Sequence, residues 1–144
     1  MTRRGKIALA VLAACTLGVG AWFSGLNEYV LKDQMLASIL GLRSLPPSVS
    51  DVHCKSVSWT DRLWTCAFSV DPSEFEALFA GESFEEGQTR WPNAHDFPMA
   101  LKLGPNFPVA HYFRAVPGSY SGGGEIVVLA SSDESRVVAH LYIE

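Results

Sequence analysis

Only three cysteines, four histidines and 18% charged residues occur in the 144-residue chain, and no two cysteines form a CxxC pair. That removes the zinc ribbons and thioredoxin-like redox motifs, which need closely spaced thiols. His53, His95, His111 and His140 show neither HxH nor HExxH spacing, so no metal site is legible and none is expected. Acidic residues are absent before Leu26; all fifteen follow it, whereas Arg3, Arg4 and Lys6 precede it. Residues 27–144 therefore carry eight basic and fifteen acidic groups, a net charge of −7. A domain that negative repels phosphate backbones, which excludes nucleic acid as a natural partner. Internal repeats are also missing, and the length suits one domain. With 48% hydrophobic residues the chain buries a core and is not disordered.

The N-terminus holds the one long apolar run. Ile7 to Leu26 contains no charge and only Thr16 and Ser24 as hydroxyls. Twenty helical residues span roughly 30 Å, the thickness of a bilayer's hydrocarbon core. The preceding cations stay on the cytoplasmic side, so the remainder is exported. Three fates are open. An uncleaved anchor fits the run's length and the Trp22-Phe23 pair at its end. A signal peptide cut after Ala21 fits the small residues Val19 and Ala21. Leu12-Ala13-Ala14-Cys15 resembles a lipoprotein box in which Cys15 is acylated, although only eight apolar residues precede it. The reading adopted is a single-pass inner-membrane protein, segment 1–26 inserted and domain 27–144 in the periplasm. A lipoprotein or secreted periplasmic protein is the alternative.

Export makes a disulfide the natural state of the two remaining cysteines, Cys54 and Cys66. Val52–Ser58 and Leu63–Val70 read as a hairpin about Thr60, in which opposed residue numbers sum to 120. Cys54 then faces Cys66, Val52 faces Phe68, and Ser56 faces Trp64. All six have even numbers and so share one sheet face. A one-residue slip would send one strand's apolar set and its cysteine to the other side.

Elsewhere the elements follow local signals. Residues 26–42 keep apolar groups at 3–4 spacing and read as a helix ended by Pro46-Pro47. Asp71, Pro72 and Glu74 form a helix start with a capping-box pattern. Phe75, Leu78 and Phe79 supply the stripe of a helix over 72–80, with Gly81 as a left-handed exit. Residues 82–98 lack periodicity and read as an ordered surface loop. Strands are expected near 99–103 and 109–116, then a mobile glycine-rich run at 118–124. A closing hairpin joins 125–131 to 136–143. The expected class is α+β: an antiparallel sheet of five or six strands, one or two packed helices and one disulfide hairpin.

The run Leu45-Pro46-Pro47-Ser48, then Asp61, then Phe68-Ser69-Val70-Asp71-Pro72-Ser73-Glu74-Phe75 with Leu78 and Gly81, resembles a pattern in small bacterial envelope proteins. Those are largely uncharacterised, with a lipoprotein or single-span start. The resemblance covers 45–81, a quarter of the chain, and Val49 stands where alanine is expected. It implies a shared turn, strand and helix cap and transfers no active site.

Catalytic patterns are weak. Gly118-Ser119-Tyr120-Ser121-Gly122 does not match GxSxG, and the glycines at 122–124 lack the Lys-Ser/Thr ending of a phosphate loop. Glu82, Glu85 and Glu86 read as a solvated surface. His95-Asp96 is the one candidate oriented base, so the alternative function is a small cell-wall or lipid hydrolase using these two and a loop carboxylate. The main expectation is a cofactor-free binding module: an accessory subunit, inhibitor or immunity-type protein. Acids beside aromatic and arginine anchors suit a protein partner. Asp61, Arg62 and Trp64 on the hairpin, and Phe84, Arg90, Trp91 and His95 in the loop, are the candidate contacts. The competing explanation makes these aromatics core residues reached from loops.

Overall fold

The two cysteines establish the first strand pairing of the structure, a computed structural model that describes residues 31–58, 61–100, 102–118 and 122–144. Segment 7–26 with Cys15, helix residues 26–30, the turn residue Thr60 and residues 119–121 lie outside the described residues. Strand β1 (Ser50–Ser58) pairs antiparallel with β2 (Arg62–Ser69), Cys54 opposite Cys66 and Ser56 opposite Trp64. The disulfide joins these cysteines, whose Cα atoms are 4.1 Å apart. The expected register holds from His53 to Ser58. It breaks before that, where an irregularity between Ser50 and His53 pairs Ser50 with Ser69 and takes Val52 out of direct opposition to Phe68. Asp51, at a φ of 52°, bends the strand there.

Four more strands complete the sheet: β3 (Glu85–Gly87), β4 (His111–Ala115), β5 (Gly124–Ala130) and β6 (Arg136–Ile143). The order is β1-β2-β6-β5-β4-β3, every neighbouring pair antiparallel. The chain is therefore an α+β protein with a six-stranded antiparallel sheet. The closing hairpin lies inside the sheet, where β6 inserts between β2 and β5.

Because side chains alternate across a strand, β2, β5 and β6 supply two apolar faces. On one, Cys66, Phe68, Ile126, Val128, Val137 and Leu141 meet Leu36 and Ile39 of helix α1, which is described over 31–39, and Leu40 just after it. Phe75 and Leu78 join this helix side from the segment Pro72–Phe79. On the other, Ala67, Val127, Leu129 and Val138 meet Ala94, Phe97, Ala100 and Phe107 of the connection between β3 and β4.

Segment Pro72–Phe79 is a 3₁₀ helix rather than an α-helix. Its buried residues, Phe75 and Leu78, are three apart and align at three residues per turn. Asp71 caps it by accepting from the Ser73 backbone N–H (2.9 Å) and hydroxyl (2.7 Å). Glu74 does not close the expected capping box. Its carboxylate accepts instead from the Ser48 backbone N–H (3.0 Å) and hydroxyl (2.6 Å), while the Asp71 N–H donates to Ser48 Oγ (3.0 Å). The two halves of the 45–81 pattern are thus bonded to each other.

Gly81 is not the left-handed exit. The positive φ belongs to Gly41 (67°), after α1, while a Cβ on Gly81 would sit 2.3 Å from the Leu40 carbonyl oxygen. Absence of a side chain at 81 lets the ends of the two helices meet. The strand expected near 99–103 is also absent: Pro98–Ala100 is a 3₁₀ turn. Backbone bonds run from Phe97 to Ala94, Ala100 to Phe97 and Leu103 to Ala100, each spanning three residues. Among the described residues no helix is long and apolar enough to cross a membrane.

Breaking the bridge by Cys54→Ser or Cys66→Ser should lower the unfolding free energy by about 2–4 kcal/mol in urea titration. Thiol labelling of both cysteines in the native, unreduced protein would contradict the bridge.

Candidate functional site

The residues expected to form a binding surface are divided between the two sheet faces. Arg62 and Trp64 are two apart on β2 and share the helix side, the Arg62 guanidinium carbon 5.1 Å from the Trp64 ring centre. Trp64 lies between Ser56 and Leu141 and packs on the main core. Phe84 is on this side too, its ring 5.1 Å from that of Phe79. On the loop side, Arg90 sits 4.8 Å over Trp91, which packs edge-on against Phe97 at 4.8 Å and beside Tyr112. Trp64 on β2 and Phe84 and Trp91 in loops pack partly buried against the two cores, on opposite faces of the sheet. They do not converge on one site.

His95 and Asp96 do not form an oriented pair. The Asp96 carboxylate accepts from the Asn93 backbone N–H and side-chain amide, both at 2.9 Å, closing a 3₁₀ turn. His95 Nε2 lies 3.0 Å from the Gly104 carbonyl oxygen, and its backbone N–H donates to Asn106 Oδ1 at 2.9 Å. Two of the three loop carboxylates have partners as well. Glu82 accepts from the Gly118 N–H (3.1 Å), and Glu86 stands 3.7 Å from His111 Nδ1. His53 is exposed on β1, facing away from Cys54 as the alternation requires. Among the described residues no three histidine, cysteine or acidic side chains are grouped to hold a metal.

The one buried histidine lies where sequence reasoning placed no site. His140 on β6 is directly opposite Thr65 on β2, with Nδ1 2.8 Å from Thr65 Oγ1. Phe97 covers it edge-on at 5.1 Å, leaving it 7% exposed. Burial pushes its pKa down to about 4, so the ring is neutral at ordinary pH. Thr65 was missed because the hairpin pattern speaks only of its even-numbered face. The register of β2 on β6 is what brings the pair together.

Beyond this pair, the next row on the loop side lies outside the cluster that the covering segment forms among the described residues. The row runs straight: Val57 opposite Leu63, Leu63 opposite Tyr142, and Tyr142 opposite Glu125. Val116, 74% exposed, borders Glu125 across a hollow of about 480 Å³ that Glu85 and Arg114 also line. Val57, 39% exposed, stands at the other end. Two smaller grooves, of about 360 and 420 Å³, flank the Leu42–Pro47 segment.

No protein-family model, no curated protein and no solved structure matches the chain.

The neutral burial of His140 has a pH signature. The unfolded chain takes up this proton near pH 6.5, the folded chain only near 4. The pair's contribution is therefore complete above pH 6.5 and is lost as pH falls from 6.5 to 4, a change on the order of 3 kcal/mol. Urea unfolding at several pH values should show that slope, and His140→Gln should flatten it. Equal slopes in the two proteins would contradict the assignment.

Proposed function

We propose that the protein is an extracytoplasmic binding module, held at the cytoplasmic membrane through segment 7–26, that recognises a protein partner with an acidic, aromatic-containing surface. One observation carries this reading. Among the described residues, His140, Asp96, His95 and Glu82 are bonded within turns and strand pairings, while Val57, Leu63 and Tyr142 stand exposed or half-exposed in one row of the sheet. The net charge of −7 over 27–144 favours a basic partner. The disulfide is consistent with an oxidising compartment. An accessory subunit of a membrane complex, an inhibitor or an immunity-type protein all fit these features. A hydrolase draws no support from the separated His95 and Asp96.

Pull-down of the full chain from detergent-solubilised membranes should recover one partner in stoichiometric amount, released by salt because opposite charges hold it. Repeated recovery of the protein alone would contradict the reading.

A further inference from the structure

The loop layer that covers one sheet face stops short. Ala94, Phe97, Ala100 and Phe107 lie over Ala67, Val127, Leu129 and Val138, and Phe97 reaches as far as His140. The next row along the strands, Val57–Leu63–Tyr142–Glu125, belongs to neither core cluster among the described residues. Two of the three large apolar residues exposed among those described, Val57 and Val116, stand at its ends. From β1 to β4 the row crosses five strands, roughly 19 Å at the ordinary strand spacing. That length matches about six extended residues or about thirteen helical ones of a partner chain.

Charge decides what fits. Tyr142, at the centre, is half-buried, with Glu125 as its cross-strand neighbour and its hydroxyl donating to Glu144 Oε1 at 3.2 Å. Desolvation, and then the nearby Asp61 and Glu144 carboxylates, raise the phenol's pKa. The cations stand to either side: Lys55 two residues before Val57, and Arg114 in the hollow beside Glu125. An aromatic ring among three carboxylates attracts a Lys or Arg side chain by charge and through its π-face. Two copies of this face brought together would set those carboxylates against their counterparts, which disfavours self-association.

We infer that this open row is the protein's docking surface, and that its occupant is a basic amphipathic segment of a partner protein, placing apolar side chains on Val57, Leu63 and Val116 and a cation beside Tyr142. The inference rests on the binding-module reading and locates it. The surface is distinct from the Arg62–Trp64 and Arg90–Trp91 pairs, which lie on the rims of the two cores.

The test uses the full chain in detergent and two 14-residue synthetic peptides, one of leucine and lysine, the other of leucine and glutamate. The lysine peptide should bind, shifting the amide resonances of Val57, Leu63, Glu125 and Tyr142. The variant V57K/E125K/V116K should bind it at least tenfold more weakly and gain affinity for the glutamate peptide, whereas Arg90→Ala should bind as the parent does. Because Val116 is 74% exposed, the single V116K keeps the test valid if the triple variant does not fold, and should weaken binding severalfold. Equal binding of both peptides, unchanged affinity in V57K/E125K/V116K, or resonance shifts confined to the Arg90–Trp91 end would overturn the inference. So would self-association that V116K abolishes, which would assign the face to a second copy. Pull-down separates the two levels. A partner retained by the triple variant contradicts this surface and leaves the binding module standing; no partner for the parent chain contradicts the module itself.

Discussion

Three adjacent strands, β2, β6 and β5, are buried on both faces, and the remaining architecture follows from the need to cover them. Antiparallel sheets commonly leave one face to water, and their strands then alternate apolar and polar residues. Here Ile126-Val127-Val128-Leu129-Ala130 and Val137-Val138-Ala139 are continuous apolar runs, so each face needs a lid. Helix α1 and the 3₁₀ helix supply one. The other is unusual: a run of 3₁₀ turns from Ala94 to Leu103 plus Phe107, with backbone bonds closed locally and apolar groups turned down onto the sheet. A layer of single turns covers less area than a helix pair. Among the described residues it extends, through Phe97, as far as Thr65–His140.

That boundary explains the buried polar pair. A hydroxyl and an imidazole under an aromatic ring are stable only when bonded to each other, and their direct cross-strand register makes the bond. Ser131, the other buried polar residue among those described, is held similarly, donating to Asp133 Oδ1 at 2.6 Å in the β5–β6 turn. The hydroxyls of Ser131 and Ser135 keep Asp133 ionised, with its pKa lowered to about 2. Polar groups are thus committed to joining elements, as at Ser48–Glu74, which ties the segment after α1 to the 3₁₀ helix.

The hairpin register, the disulfide, the helix cap at Asp71 and the closing β5–β6 pair were legible in the sequence, because each rests on contacts close along the chain or on strict alternation. Helix type at Pro72–Phe79 was not. Phe75 and Leu78 satisfy both a three- and a 3.6-residue period, so their spacing alone does not select the helix type. The composition of the lid of 3₁₀ turns suggests a loop and a strand, although Ala94, Phe97, Ala100 and Leu103 recur every third residue. That period was the available signal. The candidate contacts were legible as residue types only; nothing local says that Trp64 and Trp91 lie on opposite sheet faces, or that Val57, Tyr142 and Val116 border one open strip.

The described residues of the segment 94–107 form a packed layer on the sheet, and among the described residues the Val57–Glu125 strip lies outside it. Native-state hydrogen exchange at the Ala94 amide, bonded to the Phe107 carbonyl at 2.9 Å, addresses it directly. Protection within a factor of about ten of that at Val128 and Val138 is the predicted result; exchange at the rate of a free peptide would show that no such layer exists.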